Sequence, residues 1–332
     1  MAHGAAPEHA RRALILPYRG YGNARTLVLP GRVLRDRIAG PSRANERRWR
    51  NFATFIRLIE SDEVPHARLR ARFQGQEKTL RADREGYFRL ELDVRGIEAG
   101  WHEVELELAD DRSVHALGRV VVPSAKAQFG VVSDIDDTVV YSHVTSKLRM
   151  LLTVAMSNAH SRKPFEGVAA FYRALQRGSN PFFYVSKSPW NLYVPLTEFL
   201  DLQGLPEGPL FLRNFGLRMP RDHKHAAIEA ILNAYPKLPF ILIGDSGEKD
   251  PEIYREIVHR FPSRIRVIYI RSVNRDPKRL AAVEKLIGEV AKTGCQLVLA
   301  PDSEFAAAHA AGEGLIEASA LRAVRSEKKA DK

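Results

Sequence analysis

Six short apolar runs in the later part of the chain limit the possible folds more than any other feature. Polar and apolar residues do not alternate within them, which is typical of parallel strands covered on both faces. The runs are Phe129–Ser133, Pro181–Val185, Pro209–Leu212, Phe240–Ile243, Ile265–Ile270 and Gln296–Leu299. Segments with helical spacing of apolar residues separate most of them: Pro164–Arg177, Trp190–Leu202, Lys224–Tyr235, Asp250–Arg260 and Lys278–Thr293. This order predicts a doubly wound α/β domain with a parallel sheet, assigned to residues 126–320, and such domains bind ligands at the carboxyl ends of their strands.

The preceding residues, 12–124, have the pattern of a mainly-β domain. Arg68–Phe73 and Tyr87–Val94 alternate polar with apolar residues, and the other strand patterns follow at the spacing of a β-sandwich. Residues 44–60 have helical spacing instead, so a helix inserted between strands is expected. We therefore predict a small sandwich-like domain over residues 1–125.

Length and composition agree with two folded domains. A chain of 332 residues, 45% of them hydrophobic, can form two cores. No apolar run reaches the roughly 18 to 20 residues of a membrane helix, and the N-terminal segment lacks the apolar core of a signal peptide. The single cysteine, Cys295, excludes an internal disulfide. We expect a cytoplasmic protein whose residues 321–332, rich in charge, form a disordered tail.

Positive charge is concentrated near the N-terminus. Residues 1–60 hold twelve Lys and Arg against four Asp and Glu, which is +8 of the net +11. Such a surface either aids solubility or meets an anionic partner such as lipid headgroups, so peripheral contact with an anionic membrane is one expectation. The basic residues form no recognisable nucleic-acid motif, so no nucleic acid partner is expected. The sequence leaves the oligomeric state open.

Carboxylates follow two of the predicted parallel strands. Asp134 and Asp136 come after the first strand, with the Thr138 hydroxyl beyond them, and Asp245 and Asp250 follow the fourth. Carboxylates gathered in one crevice repel one another unless a cation or a proton separates them. An oxygen-only set of this kind suits Mg²⁺, which keeps waters that a phosphate can replace. The alternative is an acidic turn that caps the next helix.

Two further strand ends carry groups that suit a phosphate. Ser186 follows the second strand at a strand-to-helix turn, and Lys224 opens a helix after the third. Each has an ordinary alternative, a helix cap for the serine and an exposed side chain for the lysine. His223 and His225 flank Lys224, and we interpret them as surface residues rather than acid–base groups or metal ligands.

Together these motifs resemble those of the haloacid dehalogenase superfamily of phosphotransferases. Residues 129–138, 183–192 and 242–251 resemble, more specifically, the catalytic domain of the actin-patch-type phosphatidate phosphatases. The upstream residues 17–23 and 31–34 resemble the region that accompanies this domain in bacterial members. Lys187 departs from the pattern, since a small or amide side chain is expected beside the serine.

The resemblance implies roles for the motif residues. Asp134 is then the nucleophile that forms an aspartyl-phosphate, and Asp136 is the general acid and base. Ser186, Lys224 and Thr138 are the implied phosphate-binding residues. Mg²⁺ is implied as the cofactor, bound by Asp134, the Asp136 carbonyl, Asp245 and Asp250.

The expected function is Mg²⁺-dependent hydrolysis of a phosphomonoester, with phosphatidate as the substrate implied by the resemblance. The insert 141–163 is too short for a large cap domain, and its apolar stretch 148–156 is either a lipid-facing flap or an ordinary packed helix. Two alternatives stay open. One is a phosphatase of a soluble phosphometabolite or phosphoprotein, and the other is a scaffold or binding protein with a vestigial phosphatase site.

Overall fold

The structure, a computed structural model, describes residues 13–35, 62–135, 167–213, 223–273 and 276–330. The chain divides into two compact units, Met1–Val122 and Pro123–Lys332. The helix predicted at 44–60 and the insert at 141–163 lie outside the described residues.

The described part of the first unit consists of strands and turns. Its strands are β1 (Ala13–Pro17), β2 (Gly20–Gly22), β3 (Thr26–Arg35), β4 (Asp62–Glu63), β5 (Arg68–Phe73), β6 (Gln76–Arg81), β7 (Tyr87–Asp93), β8 (Gly100–Leu108) and β9 (His115–Val122). Hydrogen bonds join these nine strands into one sheet of order β1-β3-β2-β9-β8-β5-β6, with β4 and β7 also paired to β3. Neighbours are antiparallel except β2 and β9, which are parallel.

Alternation along these strands produces the core of the first unit. In β5, Leu69, Ala71 and Phe73 are buried, whereas the arginines between them are at least partly accessible. The same period of two in β7, β8 and β9 places their apolar side chains in one common cluster. The packing of two sheets face to face, as a sandwich requires, stays a prediction.

The second unit contains a parallel sheet of six strands. They are β10 (Gly130–Asp134), β11 (Phe182–Pro189), β12 (Leu210–Arg213), β13 (Phe240–Asp245), β14 (Ile265–Arg271) and β15 (Gln296–Ala300). All six predicted runs are therefore strands, every neighbouring pair is parallel, and the α/β class with a parallel sheet is confirmed. The order is β12-β11-β10-β13-β14-β15, so the direction in which strands are added reverses between β10 and β13. Open α/β sheets bind their ligands at such a reversal.

Seven helices of the second unit are described. They are α1 (Val168–Gln176), α2 (Tyr193–Leu202), α3 (His223–Ala234), α4 (Asp250–Arg260), α5 (Pro277–Ala291), α6 (Ser303–Gly312) and α7 (Ala320–Ala330). A short 3₁₀ turn, Trp190–Leu192, precedes α2. The apolar spacing predicted the first five, whereas α6 and α7 were not predicted. Among the helices that the structure describes, none is both long and apolar enough to cross a membrane.

The prediction of a disordered tail at 321–332 is wrong for the residues described, because α7 packs on α1 and α6. Val324 is fully buried. The Glu327 carboxylate accepts a hydrogen bond from the backbone N–H of Ala170 at 3.0 Å and pairs with Arg173 at 2.6 Å. These partners lie far away in sequence, so the charged composition of the segment gave no sign of them.

Candidate active site

The carboxylates at two neighbouring strand ends lie together in the structure. Asp134 ends β10, Asp245 ends β13, and Asp250 begins α4. Strands β10 and β13 are paired in parallel, so their carboxyl ends lie side by side. One carboxylate oxygen from each of the three residues lies within 4.8 Å of the others. Three of the four predicted ligands therefore converge on a single point at the strand reversal.

Lys224 lies among these carboxylates. It is in the first turn of α3, and its Nζ is 2.9 Å from Oδ1 of Asp134 and 2.7 Å from Oδ1 of Asp250. A third contact, at 2.9 Å, reaches Oε2 of Glu248. The lysine side chain is only 2% exposed. A buried ammonium group with three carboxylate acceptors compensates charges that would otherwise be costly to bury together.

The aspartates are themselves withdrawn from water. Asp250 is fully buried, and Asp245 is nearly so. Burial raises the pKa of the Asp250 carboxyl, while Lys224 acts in the opposite direction. Burial of several acids at one place is typical of a site that holds a cation or a reacting group, because such groups are expensive to desolvate without a partner.

The loop between Asp245 and Asp250 is shaped by these two side chains. Oδ1 of Asp245 accepts hydrogen bonds from the backbone N–H groups of Gly247 at 2.7 Å and Glu248 at 3.1 Å, an Asx turn. Oδ2 of Asp250 accepts from the backbone N–H of Asp245 at 3.2 Å. At Gly244 a Cβ atom would lie 2.5 Å from Asp250 Oδ2, so only glycine permits this approach.

Arg279, on α5, holds the same loop from outside and was missed by the sequence analysis. Its Nε donates to the carbonyl of Ser246 at 2.8 Å, and its Nη2 donates to the carbonyl of Glu248 at 2.5 Å. It also pairs with Glu252 in the first turn of α4. Arg279 thus attaches the loop that carries the carboxylates to α5. No motif spacing in the sequence marks this arginine.

Ser186 and Lys187 lie in an irregular stretch near the end of β11, where the register with β12 shifts. The buried Oγ of Ser186 accepts from the backbone N–H of Ser188 at 2.9 Å. Nζ of Lys187 is 2.5 Å from Oε2 of Glu248, the oxygen that also contacts Lys224. Burial alone would raise the pKa of Glu248, but the two lysines outweigh burial and lower it. No feature of the sequence pattern predicted this role of Glu248.

Two predicted site residues, Asp136 and Thr138, lie outside the described residues. The two histidines beside Lys224 have partners elsewhere, as expected of residues outside the site. His223 Nε2 is 3.3 Å from the carbonyl oxygen of Phe211, and His225 Nε2 is 2.9 Å from a Glu256 carboxylate oxygen.

A pocket adjoins the carboxylates on the side of α1 and α6. Asp134 and Asp245 line it together with the aromatic side chains of Phe171, Tyr172 and Tyr269. The Tyr172 hydroxyl is 2.8 Å from the hydroxyl of Ser133, the neighbour of Asp134. Burial raises the pKa of Tyr172 to about 12, so this tyrosine is a neutral hydrogen-bonding group at physiological pH.

Part of the chain matches a known catalytic-domain family. Residues 129–272 match the family model described as the catalytic domain of phosphatidate phosphatase APP1. Phosphatidate phosphatase APP1 of Saccharomyces cerevisiae is 34% identical over 150 residues, which are 43% of this chain and 25% of the yeast protein. An uncharacterized protein of Schizosaccharomyces pombe is 27% identical over 175 residues, 51% of this chain and 29% of that protein. The resemblance that the motifs predicted is confirmed for residues 129–272, although the matched region spans only about a quarter of these curated relatives.

Similarity to solved structures is low. A carbohydrate acetylesterase from Xanthomonas citri aligns with a TM-score of 0.29 at 11% identity, over 75% of this chain and 66% of that chain. A CARDB domain from Pyrococcus furiosus aligns with a TM-score of 0.20 at 10% identity, over 36% of this chain and 94% of that chain. Neither similarity bears on function.

Proposed function

We propose that this chain, whose residues 129–272 match the APP1 catalytic-domain family, is a Mg²⁺-dependent phosphatase that acts through an aspartyl-phosphate. The proposed substrate is the phosphomonoester phosphatidate, which would yield diacylglycerol. The observation that carries the proposal is the convergence of Asp134, Asp245 and Asp250 at the strand reversal, where Lys224 contacts Asp134 and Asp250. The name of the yeast relative supports the choice of substrate.

In this proposal Asp134 is the nucleophile. Its carboxylate oxygen bonds to phosphorus while the bond from phosphorus to the leaving oxygen breaks. Asp136, two residues further along, donates a proton to that oxygen and then accepts one from the water that attacks the phosphorylated aspartate. In this second step the water oxygen bonds to phosphorus while the bond from phosphorus to the Asp134 oxygen breaks, which releases inorganic phosphate and restores the carboxylate.

Lys224 positions the reacting groups. Its contact with Asp134 at 2.9 Å orients the nucleophile and places a positive charge beside the phosphoryl group. Ser186 and Thr138 are the proposed neutral donors to the phosphoryl oxygens. For Ser186 this is supported by its location in the irregular end of β11, next to β10 in the sheet.

The donor set fits Mg²⁺. Asp134, Asp245 and Asp250 offer only oxygen atoms, which Mg²⁺ prefers, and the Asp136 carbonyl is the fourth proposed ligand. When bound, Mg²⁺ would offset the negative charge that phosphoryl transfer gathers between these carboxylates.

The strand order supports a doubly wound, haloacid dehalogenase-like domain, because the order reverses beside the strand that carries Asp134. We propose that this domain spans residues 126–320 together with α7. The sandwich-like domain at 1–125 and its basic residues are proposed to contact an anionic membrane surface from the cytoplasm.

The test compares Mg²⁺-dependent phosphate release by the wild type and by Asp134→Asn, from phosphatidate liposomes and from soluble phosphomonoesters. Asp201→Asn, a change at an exposed aspartate of α2, is the matched control. We expect activity on phosphatidate in the wild type and the control, and none in Asp134→Asn. Equal activity in Asp134→Asn would refute the mechanism. Activity on soluble esters alone would replace phosphatidate with a phosphometabolite or phosphoprotein, and no activity on either would favour a binding protein.

A further inference from the structure

Lys187 and Lys224 donate to the same atom. Oε2 of Glu248 lies 2.5 Å from the Nζ of Lys187 and 2.9 Å from the Nζ of Lys224. The two ammonium groups are therefore neighbours, and Glu248 lies between them. Two like charges approach this closely only where an anion separates them, since they otherwise repel.

The two lysines differ in their access to solvent. The side chain of Lys224 is 2% exposed and that of Glu248 is 22% exposed, whereas that of Lys187 is 42% exposed. The three side chains thus form a series from the interior outward. The side chain of Lys187 is therefore the more accessible of the two cations.

Among the described residues of the site, carboxylates outnumber lysines. Asp134, Asp245, Glu248 and Asp250 supply four negative charges against the two positive charges of the lysines, so a divalent ion would balance this described group. A phosphomonoester dianion then adds two negative charges. Lys187 has a flexible four-carbon stem, so it can turn from Glu248 to a phosphoryl oxygen without movement of the backbone.

We propose that Lys187 is a second phosphate-binding cation, held beside the site by Glu248 until a phosphomonoester dianion arrives. This inference rests on the proposed phosphatase function and adds a specificity-determining residue to it. Lys187 would favour dianionic monoesters over singly charged diesters, because only the former present two charges to two ammonium groups.

Opposite effects on anion and cation binding separate this role from a merely structural one. With saturating Mg²⁺, Lys187→Gln should raise the KM for p-nitrophenyl phosphate and the Kd for inorganic phosphate on the order of tenfold, with little change in kcat. The same variant should bind Mg²⁺ as tightly as the wild type or more tightly, since a nearby positive charge is gone. If Lys187 only stabilised the structure, its loss would instead weaken the binding of both phosphate and Mg²⁺.

Matched variants complete the experiment. Lys249→Gln removes an equal charge from an exposed side chain of the same loop and should leave both constants unchanged. Lys187→Arg keeps the charge and should restore most of the phosphate affinity. Calorimetric titrations with inorganic phosphate and with Mg²⁺ measure these constants. Unchanged phosphate affinity in a folded Lys187→Gln protein would overturn the proposal.

The two proposals fail in different ways. If the wild type hydrolyses no phosphomonoester but its phosphate affinity depends on Lys187, the phosphatase function fails and the anion site stands. If hydrolysis depends on Asp134 while Lys187→Gln changes neither the KM for p-nitrophenyl phosphate nor the Kd for inorganic phosphate, the function stands and the role of Lys187 is refuted.

Discussion

Replacing Gly244 with alanine tests whether close packing behind Asp250 sets the geometry of the site. The added Cβ would lie 2.5 Å from Oδ2 and 2.8 Å from Cβ of Asp250, whereas ordinary contacts begin near 3.4 Å. The backbone at Gly244 is not left-handed, so contact with Asp250 is the source of strain.

The contact distances set the size of the effect. Asp250 is fully buried, so its side chain cannot turn into solvent to avoid the added Cβ. To reach an ordinary contact distance, the side chain must shift by nearly 1 Å. Such a shift would lengthen its contacts with Lys224 and with the backbone N–H of Asp245. A misplacement of about 1 Å at a reacting site costs on the order of 100-fold in rate, and overpacking costs roughly 1–3 kcal/mol in stability.

The assay is Mg²⁺-dependent phosphate release, with thermal unfolding measured in parallel. We expect kcat/KM of Gly244→Ala to fall about 100-fold while the protein stays folded. Gly288→Ala is the matched control, because a Cβ there meets nothing within 4 Å. An alanine at this exposed position of α5 should stabilise the protein by about 0.5–1 kcal/mol without loss of activity. Wild-type activity and Mg²⁺ affinity in Gly244→Ala would refute the reasoning.

Three further outcomes are expected. Arg279→Ala should weaken Mg²⁺ binding on the order of tenfold because the loop loses two hydrogen bonds to its carbonyls. Arg255→Ala, which removes another arginine that pairs with α5, should leave the Mg²⁺ affinity unchanged. Equal Mg²⁺ affinities of the two variants in calorimetry would contradict the role of Arg279. Burial raises the pKa of Cys295 to about 11, so iodoacetamide at pH 7.5 should label the unfolded protein far faster than the native one. Burial raises the pKa of Asp302, but Lys328 and backbone N–H groups outweigh it and lower the pKa. The Asp302 carboxylate therefore stabilises the folded protein fully when the pH is above its ordinary pKa of 3.8. This stabilisation is lost as the pH falls through the lower pKa of the folded state. The loss of thermal stability in Asp302→Asn at pH 7 should thus shrink as the pH falls below 3.8, and an undiminished loss there would count against the ion pair with Lys328.

The fold of the second unit was predictable because its signals are local. An uninterrupted apolar run such as Phe240–Ile243 can be read without knowing its neighbours, and so can the carboxylates that follow it. Position in the sheet then brings Asp134 and Asp245 together, since parallel strands share one carboxyl edge.

The remaining features depend on partners that are distant in sequence. Lys187 and Glu248 are 61 residues apart, and Arg279 lies 33 residues beyond the Ser246 carbonyl that it binds. Nothing in the sequence near Lys187 distinguishes a lysine paired across the site from one on a solvated surface. Helix α7 escaped prediction for the same reason, because its burial depends on Val324 and on ion pairs to other helices.

The attachment of α7 to α1 has a consequence for synthesis of the chain. Glu327 contacts Ala170 and Arg173, from which it is separated by 157 and 154 positions in the sequence. During synthesis α1 emerges from the ribosome long before α7 does. The packing of α1 against α7 can therefore form only after most of the unit has been made. Long-range closure of this kind slows folding and leaves apolar surface uncovered in the interval. Tyr172, which contacts Ser133, is part of α1. The surroundings of Asp134 are therefore among the last to be completed as the nascent chain emerges.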